Sequence, residues 1–163
     1  MHQTIAIITR ADDQDEAVSR AQEIFNEQLA NRSTGFDWCD PHTEGVVEDG
    51  IIWEPTYITS DNAKKMAEYL FISQQEERTE NLEKIRMNLN ELSNEEILFG
   101  GDSPDQGREL LYHMREAGAV DGPAIKLYCE DWFGINTRRS FNFVMDEMKS
   151  NGKHWIVPMD SHF

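Results

Sequence analysis

Two adjacent arginines, Arg138 and Arg139, begin a predicted helix near the end of a strongly acidic chain. Cations at a helix N-terminus oppose the helix dipole, so they need either acidic partners or a bound anion. Acids close in sequence, such as Glu130 and Asp131, would make the pair structural, which is the usual outcome for clustered charges. Alternatively, two guanidinium groups and the free helix N–H groups would hold a phosphate or a carboxylate. The pair is the candidate anion site of this sequence.

Three further residues near this helix could transfer protons. Asp160 and His162 are two residues apart in an extended tail, so their side chains share one face. Glu130 ends a predicted strand that we expect to lie nearby. Histidine is the side chain that titrates closest to neutral pH, and a carboxylate can serve as its partner. His162, Asp160 and Glu130 are therefore the candidate acid–base groups of a small enzyme or ligand binder.

Cysteine and histidine residues raise the question of a metal site. Cys39 and His42 have the spacing Cys-x-x-His, and Cys129 or His162 could complete a tetrahedral zinc site. Against this, structural zinc sites usually present two paired sets of ligands, and both cysteines occupy apolar faces of predicted strands. No phosphate-binding loop, dinucleotide fingerprint, nucleophile elbow or metalloprotease motif occurs either. We expect no metal and no cofactor.

The residues that could do chemistry lie in a predicted strand–helix–strand unit over the last forty residues. Apolar and polar residues alternate over Ile125–Glu130, which predicts a strand. A helical stripe follows, and a second strand is predicted at His154–Val157. The stripe consists of Phe141, Val144, Met145 and Met148. The connection is long enough to make the two strands parallel neighbours in one sheet.

The rest of the chain predicts a single domain, residues 1–163, of the α+β or α/β class. A buried strand is predicted at Thr4–Thr9, followed by an acid-capped helix, a short strand at Phe36–Cys39 and a hairpin around Glu48-Asp49-Gly50. The favoured architecture is a ferredoxin-like sheet backed by helices, with a helical insertion around 60–120. An open three-layer α/β sheet is the alternative.

The insertion contains a long predicted helix, from Ser60 to about Leu92, and a later one. The stretch Ser73–Glu80 has no apolar residue, so the long helix must either break between Gln74 and Thr79 or project from the domain. Its second half could pack on the chain's own sheet, which is favoured, or on a protein partner or a second copy. The apolar seam of that half consists of Leu82, Ile85, Leu89 and Leu92. In the later helix the residues predicted to face inward are Leu110, Leu111, Met114 and Ala117.

Composition narrows the class of protein. The chain has 31 acidic and 15 basic residues, a net charge of −16, which repels nucleic acid and anionic membranes. Solubility explains the acidity most simply, while salt adaptation and imitation of nucleic acid stay open. Two cysteines, no leader-like N-terminus and only short apolar runs predict a cytoplasmic protein. The leading prediction is a small acidic interaction protein without enzymatic activity.

Two short segments resemble small acidic proteins carried by phages and prophages. They are Phe36-Asp37-Trp38 and the closing Val157-Pro158-Met159-Asp160-Ser161-His162. The resemblance covers the two ends of the chain and departs after Trp38, where Cys39-Asp40-Pro41 replaces a Gly-Gly-Arg-Trp-like continuation. It implies a viral or accessory origin, and the group has no established activity to transfer.

Overall fold

A computed structural model gives the fold and describes residues 2–30, 36–99, 110–114, 117, 125–130, 133–150 and 152–162. The strands are β1 (His2–Arg10), β2 (Trp38–Pro41), β3 (Val46–Glu48), β4 (Ile51–Trp53), β5 (Thr56–Tyr57), β6 (Leu127–Cys129), β7 (Phe133–Gly134) and β8 (His154–His162). The helices are α1 (Gln14–Ile24), which continues as a π-helical turn at Phe25–Leu29, α2 (Asp61–Glu91), α3 (Asn94–Phe99) and α4 (Arg138–Ser150). Residues 110–114 are also helical. Residues 100–109 and 131–132, which include the candidate acidic partner Asp131, lie outside the described residues.

The main sheet has six strands in the order β2-β8-β1-β6-β7, with β5 beside the first part of β8. β1 is antiparallel to β8 from His2↔His162 to Arg10↔His154, and parallel to β6. The strands predicted at Ile125–Glu130 and His154–Val157 correspond to β6 and β8. The prediction that they are parallel neighbours is wrong, because β1 lies between them. The β1 sequence explains this position: its apolar run is buried on both faces, as a central strand requires.

Helices cover both faces of the sheet. Ile5 and Ile7 point into a cluster with α1, while Ala6 and Ile8 point into a second cluster with α2 and α4. The predicted single domain, a mixed sheet backed by helices with a helical insertion, is confirmed. Helices on both faces of the sheet correspond to the three-layer architecture that the sequence analysis gave as the alternative.

The predicted helix cap, hairpin turn and apolar helical stripe are confirmed. The Glu16 N–H donates to the Asp13 carboxylate, 2.9 Å, which caps α1. Asp49 and Gly50 have φ of 52° and 73°, the left-handed pair of a two-residue hairpin turn between β3 and β4. All four apolar residues of the α4 stripe are buried.

α2 is one continuous helix of 31 residues, about 45 Å long. The predicted break does not occur, because polar side chains replace apolar packing in the middle of the helix. The buried Gln74 amide donates to the Ile135 carbonyl (2.8 Å), and its oxygen accepts from the Lys126 N–H (2.9 Å). Arg78 donates to the Asn136 carbonyl, 3.0 Å. From Leu82 onward no residue of α2 is buried, so the second half of the helix projects from the two buried clusters.

The helical segment at 110–114 lies beside α2, since His113 and Asn81 share a 2.7 Å side-chain hydrogen bond. Leu110, His113 and Ala117 are buried, whereas Leu111 and Met114 are exposed. The prediction that Leu111 and Met114 face inward is wrong. The buried face follows i, i+3 and i+7 and includes a polar residue that the apolar pattern could not identify.

Within the described part of the chain, no helix has the length and apolar character needed to cross a membrane.

Candidate functional site

Three aromatic rings from three strands meet at one end of the sheet. His162 of β8 lies directly opposite both His2 of β1 and Trp38 of β2, so all three side chains share one face. The Trp38 and His162 rings are stacked, with centres 5.8 Å apart and planes 10° apart. The His2 ring stands edge-on to both, with centres 5.5 Å from Trp38 and 5.2 Å from His162. This ring cluster joins the segments 36–38 and 157–162.

Each histidine of the ring cluster is held by a carboxylate. His162 Nδ1 lies 2.8 Å from Asp37 Oδ1, and His2 Nδ1 lies 2.9 Å from Asp160 Oδ2. The hydrogen bond from His162 is the main reason that the pKa of Asp37 is lowered from its usual value. A carboxylate on Nδ1 fixes the orientation of an imidazole and leaves Nε2 as the nitrogen available to a ligand or a proton.

A cleft of about 350 Å³ adjoins the ring cluster at His2. It lies between the start of β1 and α2, and the β3–β4 hairpin and Tyr112 close its sides. Lys126 in its wall contacts Glu77 Oε2 at 2.8 Å and donates to Ser73 Oγ at 2.9 Å, so its charge is already compensated. The volume is within the range of small-molecule sites.

The two candidate arginines line different cavities. Arg138 donates to both carboxylate oxygens of Glu68 on α2, at 2.7 and 2.9 Å, and its guanidinium lies 4.4 Å from the centre of the Phe71 ring. Arg139 instead lines an apolar groove with Phe143. The compensating acid for Arg138 is thus a residue 70 positions away rather than Glu130. The geometry does not bring the two guanidinium groups together around one anion.

Glu130 lies at the other end of β1 from the ring cluster. Its carboxylate accepts from the Thr9 hydroxyl at 2.7 Å and the Arg10 N–H at 3.3 Å. Those residues and His2 are at opposite ends of a strand about 25 Å long. Asp160 and His162 are therefore brought together with His2, whereas Glu130 is not part of that cluster.

The candidate metal ligands are also separated. Cys39 packs against the α1 face of the sheet and Cys129 is buried in the cluster on the α2 face. Burial, with a smaller contribution from Asp40, raises the pKa of the Cys39 thiol to about 12. His42 is held through its backbone, which donates to the Pro158 carbonyl. No three His, Cys, Asp or Glu side chains among the described residues are arranged to hold a metal ion.

Sequence reasoning missed His2, the cleft and the role of Glu68. The alternation that placed Asp160 and His162 on one face would have added His2 only if β1 and β8 were known to pair in this antiparallel register. The cleft depends on α2 crossing the sheet next to the hairpin, which no local pattern encodes.

The family model described as "Domain of unknown function (DUF7995)" matches residues 1–163. The chain therefore belongs to this family. No curated protein and no solved structure matches it.

Proposed function

We propose that this DUF7995 member acts by binding a protein partner through the projecting half of α2, and that the partner contributes a cationic amphipathic helix. The observation that carries the proposal is the exposure of the apolar seam, defined as Leu82, Ile85, Leu89 and Leu92. Leu82 and Leu89 are 43% and 53% exposed, and Ile85 and Leu92 are only partly buried. Packing on the sheet does not account for these residues, because none of them belongs to either of the two buried clusters.

The helical segment at 110–114 carries two more exposed apolar residues. Leu111 and Met114 are 64% and 51% exposed. Their helical segment lies beside α2 through the hydrogen bond between His113 and Asn81. Exposed apolar residues that recur along one face of a helix are typical of sites that bind proteins, whereas single exposed apolar residues are not informative. A helix that inserts an apolar face along the seam is a common mode of recognition.

Charge favours a basic partner over a second copy. Residues 75–99 contain seven glutamates and three basic residues, and the whole chain carries −16. Two copies would bring like charges together, while a lysine-rich helix would be attracted by the acids beside the seam. This attraction should weaken as salt is added, and the apolar contact should persist.

The test uses a synthetic amphipathic helix with leucines on one face and lysines on the other, titrated into the full chain by calorimetry. We expect saturable binding that salt weakens. We also expect at least about tenfold loss in the double variant Leu82→Ser, Leu89→Ser, since each buried leucine contributes about 1.5–3 kcal/mol. The matched control is Val47→Ser, which changes an apolar residue of the hairpin that is 68% exposed. Equal binding by the double variant, or no binding at all, would contradict the proposal.

The self-association alternative has its own readout. Light scattering on the free chain should give the mass of a monomer if the seam is reserved for a basic partner. A dimer that the same double variant dissociates would instead identify a second copy as the occupant. The viral or accessory origin and the cytoplasmic location stay predictions from the sequence.

A further inference from the structure

We propose that the cleft between β1 and α2 binds a small organic ammonium ion such as choline. The proposal is independent of partner binding by the seam. It is based on two properties of the cleft: a carboxylate that has no basic partner among the described residues, and aromatic side chains in the wall.

The charge of the cleft selects against anions. The Lys126 ammonium is the cation of the wall, and Glu77 and Ser73 already satisfy it. Glu48, on the hairpin at the edge of the cleft, has no basic partner among the described residues. His2 is paired with Asp160. The net negative field of the chain adds to the local carboxylate, so the favoured ligand carries a positive charge.

Aromatic side chains form much of the wall. Trp53 and Tyr69 meet edge to face, with ring centres 5.8 Å apart, and Tyr112 lies across the opening. Tyr69 and Tyr112 are also exposed, so a ligand can reach their rings. An organic ammonium ion is attracted to the faces of such rings, and this is a recognised way of binding quaternary ammonium groups. A metal ion or an inorganic cation would not use these walls, because its hydration shell would keep it away from them.

The experiment titrates choline into the intact chain at physiological ionic strength, with ¹H–¹⁵N NMR shifts and calorimetry as readouts. The comparison ligand is 3,3-dimethyl-1-butanol, which has the shape of choline but no charge. We expect saturable shifts at Trp53, Tyr69 and the β3–β4 hairpin with choline. We expect binding of the neutral ligand to be at least about tenfold weaker.

Two matched variants distinguish the cleft from the acidic surface in general. Glu48→Gln should weaken choline binding about three- to tenfold, because it removes the carboxylate at the edge of the cleft. Asp49→Asn removes the same charge at the next residue, within a turn that asparagine tolerates, and should leave binding unchanged. Tyr69→Leu should also weaken binding, and thermal melting checks that each variant folds.

Three results would overturn the proposal. One is the absence of saturable binding of choline. Another is equal binding of the neutral ligand, which would mean that charge plays no part. The last is an equal effect of Glu48→Gln and Asp49→Asn, which would mean that choline associates with the acidic surface rather than with the cleft.

Discussion

We expect Gln74 to contribute more to the stability of the domain than any other polar side chain of α2. It is fully buried, it donates to the Ile135 carbonyl, and it accepts from the Lys126 N–H. The change Gln74→Leu keeps a similar volume but leaves both backbone groups without this partner. Each unpaired buried group costs about 1–3 kcal/mol, and the added apolar burial returns about 1–2 kcal/mol. The two costs together are about 2–6 kcal/mol, so the expected net loss is centred on about 2.5 kcal/mol of the free energy of unfolding.

The assay is urea and thermal unfolding followed by circular dichroism. For a chain of 163 residues, 1 kcal/mol corresponds to a Tm shift of about 2–4 °C, so Gln74→Leu should lower Tm by about 5–10 °C. The matched control is Gln75→Leu, since Gln75 makes one longer bond of 3.2 Å to the Asn136 carbonyl and is only partly buried. That control should cost less than about 1 kcal/mol. A Gln74→Leu protein as stable as the wild type would refute the claim that polar anchors, rather than apolar packing, hold the middle of α2.

Three further predictions concern individual side chains. His162 lowers the pKa of Asp37 in the folded chain below the ordinary value of 3.8. The ionised Asp37 carboxylate therefore contributes to stability above pH 3.8, and this contribution is lost as the pH falls through the lowered pKa. The stability difference between the wild type and Asp37→Asn should shrink over that acidic range. The Cys39 thiol, with its pKa raised to about 12, should resist iodoacetamide at pH 8 in the folded chain and react once the chain is unfolded in urea. Gly50→Ala should lower the free energy of unfolding by about 1 kcal/mol. The loss comes from backbone strain alone, because φ is +73° and an added Cβ would meet no atom within 4 Å. Asp49→Asn should not change stability, because asparagine tolerates the left-handed conformation of this residue.

The features that sequence could predict are those encoded by neighbouring residues. Asp13 caps α1, Asp49 and Gly50 form the hairpin turn, and the apolar stripe of α4 is buried. Each depends on a side chain acting within a few positions of itself, so a local pattern is sufficient.

The features that sequence missed depend on contacts between distant residues. The insertion of β1 between β6 and β8 is a pairing choice that strand patterns leave open. The partner of Arg138 is Glu68, 70 residues earlier, although nearer acids were available in sequence. His2 and His162 are separated by almost the whole chain and meet only because β1 and β8 pair along their full length.

The central claim, that the projecting half of α2 is a binding surface for a cationic helix, is tested most directly by amide hydrogen exchange on the intact chain. The exchange rates are compared with and without the leucine–lysine peptide. We predict added protection at residues 82–92 and in the helical segment at 110–114, and no change in the first half of α2, residues 61–73, whose apolar face is buried against the sheet. Protection that is absent from 82–92, or that is as large there in the double variant Leu82→Ser, Leu89→Ser, would contradict the claim.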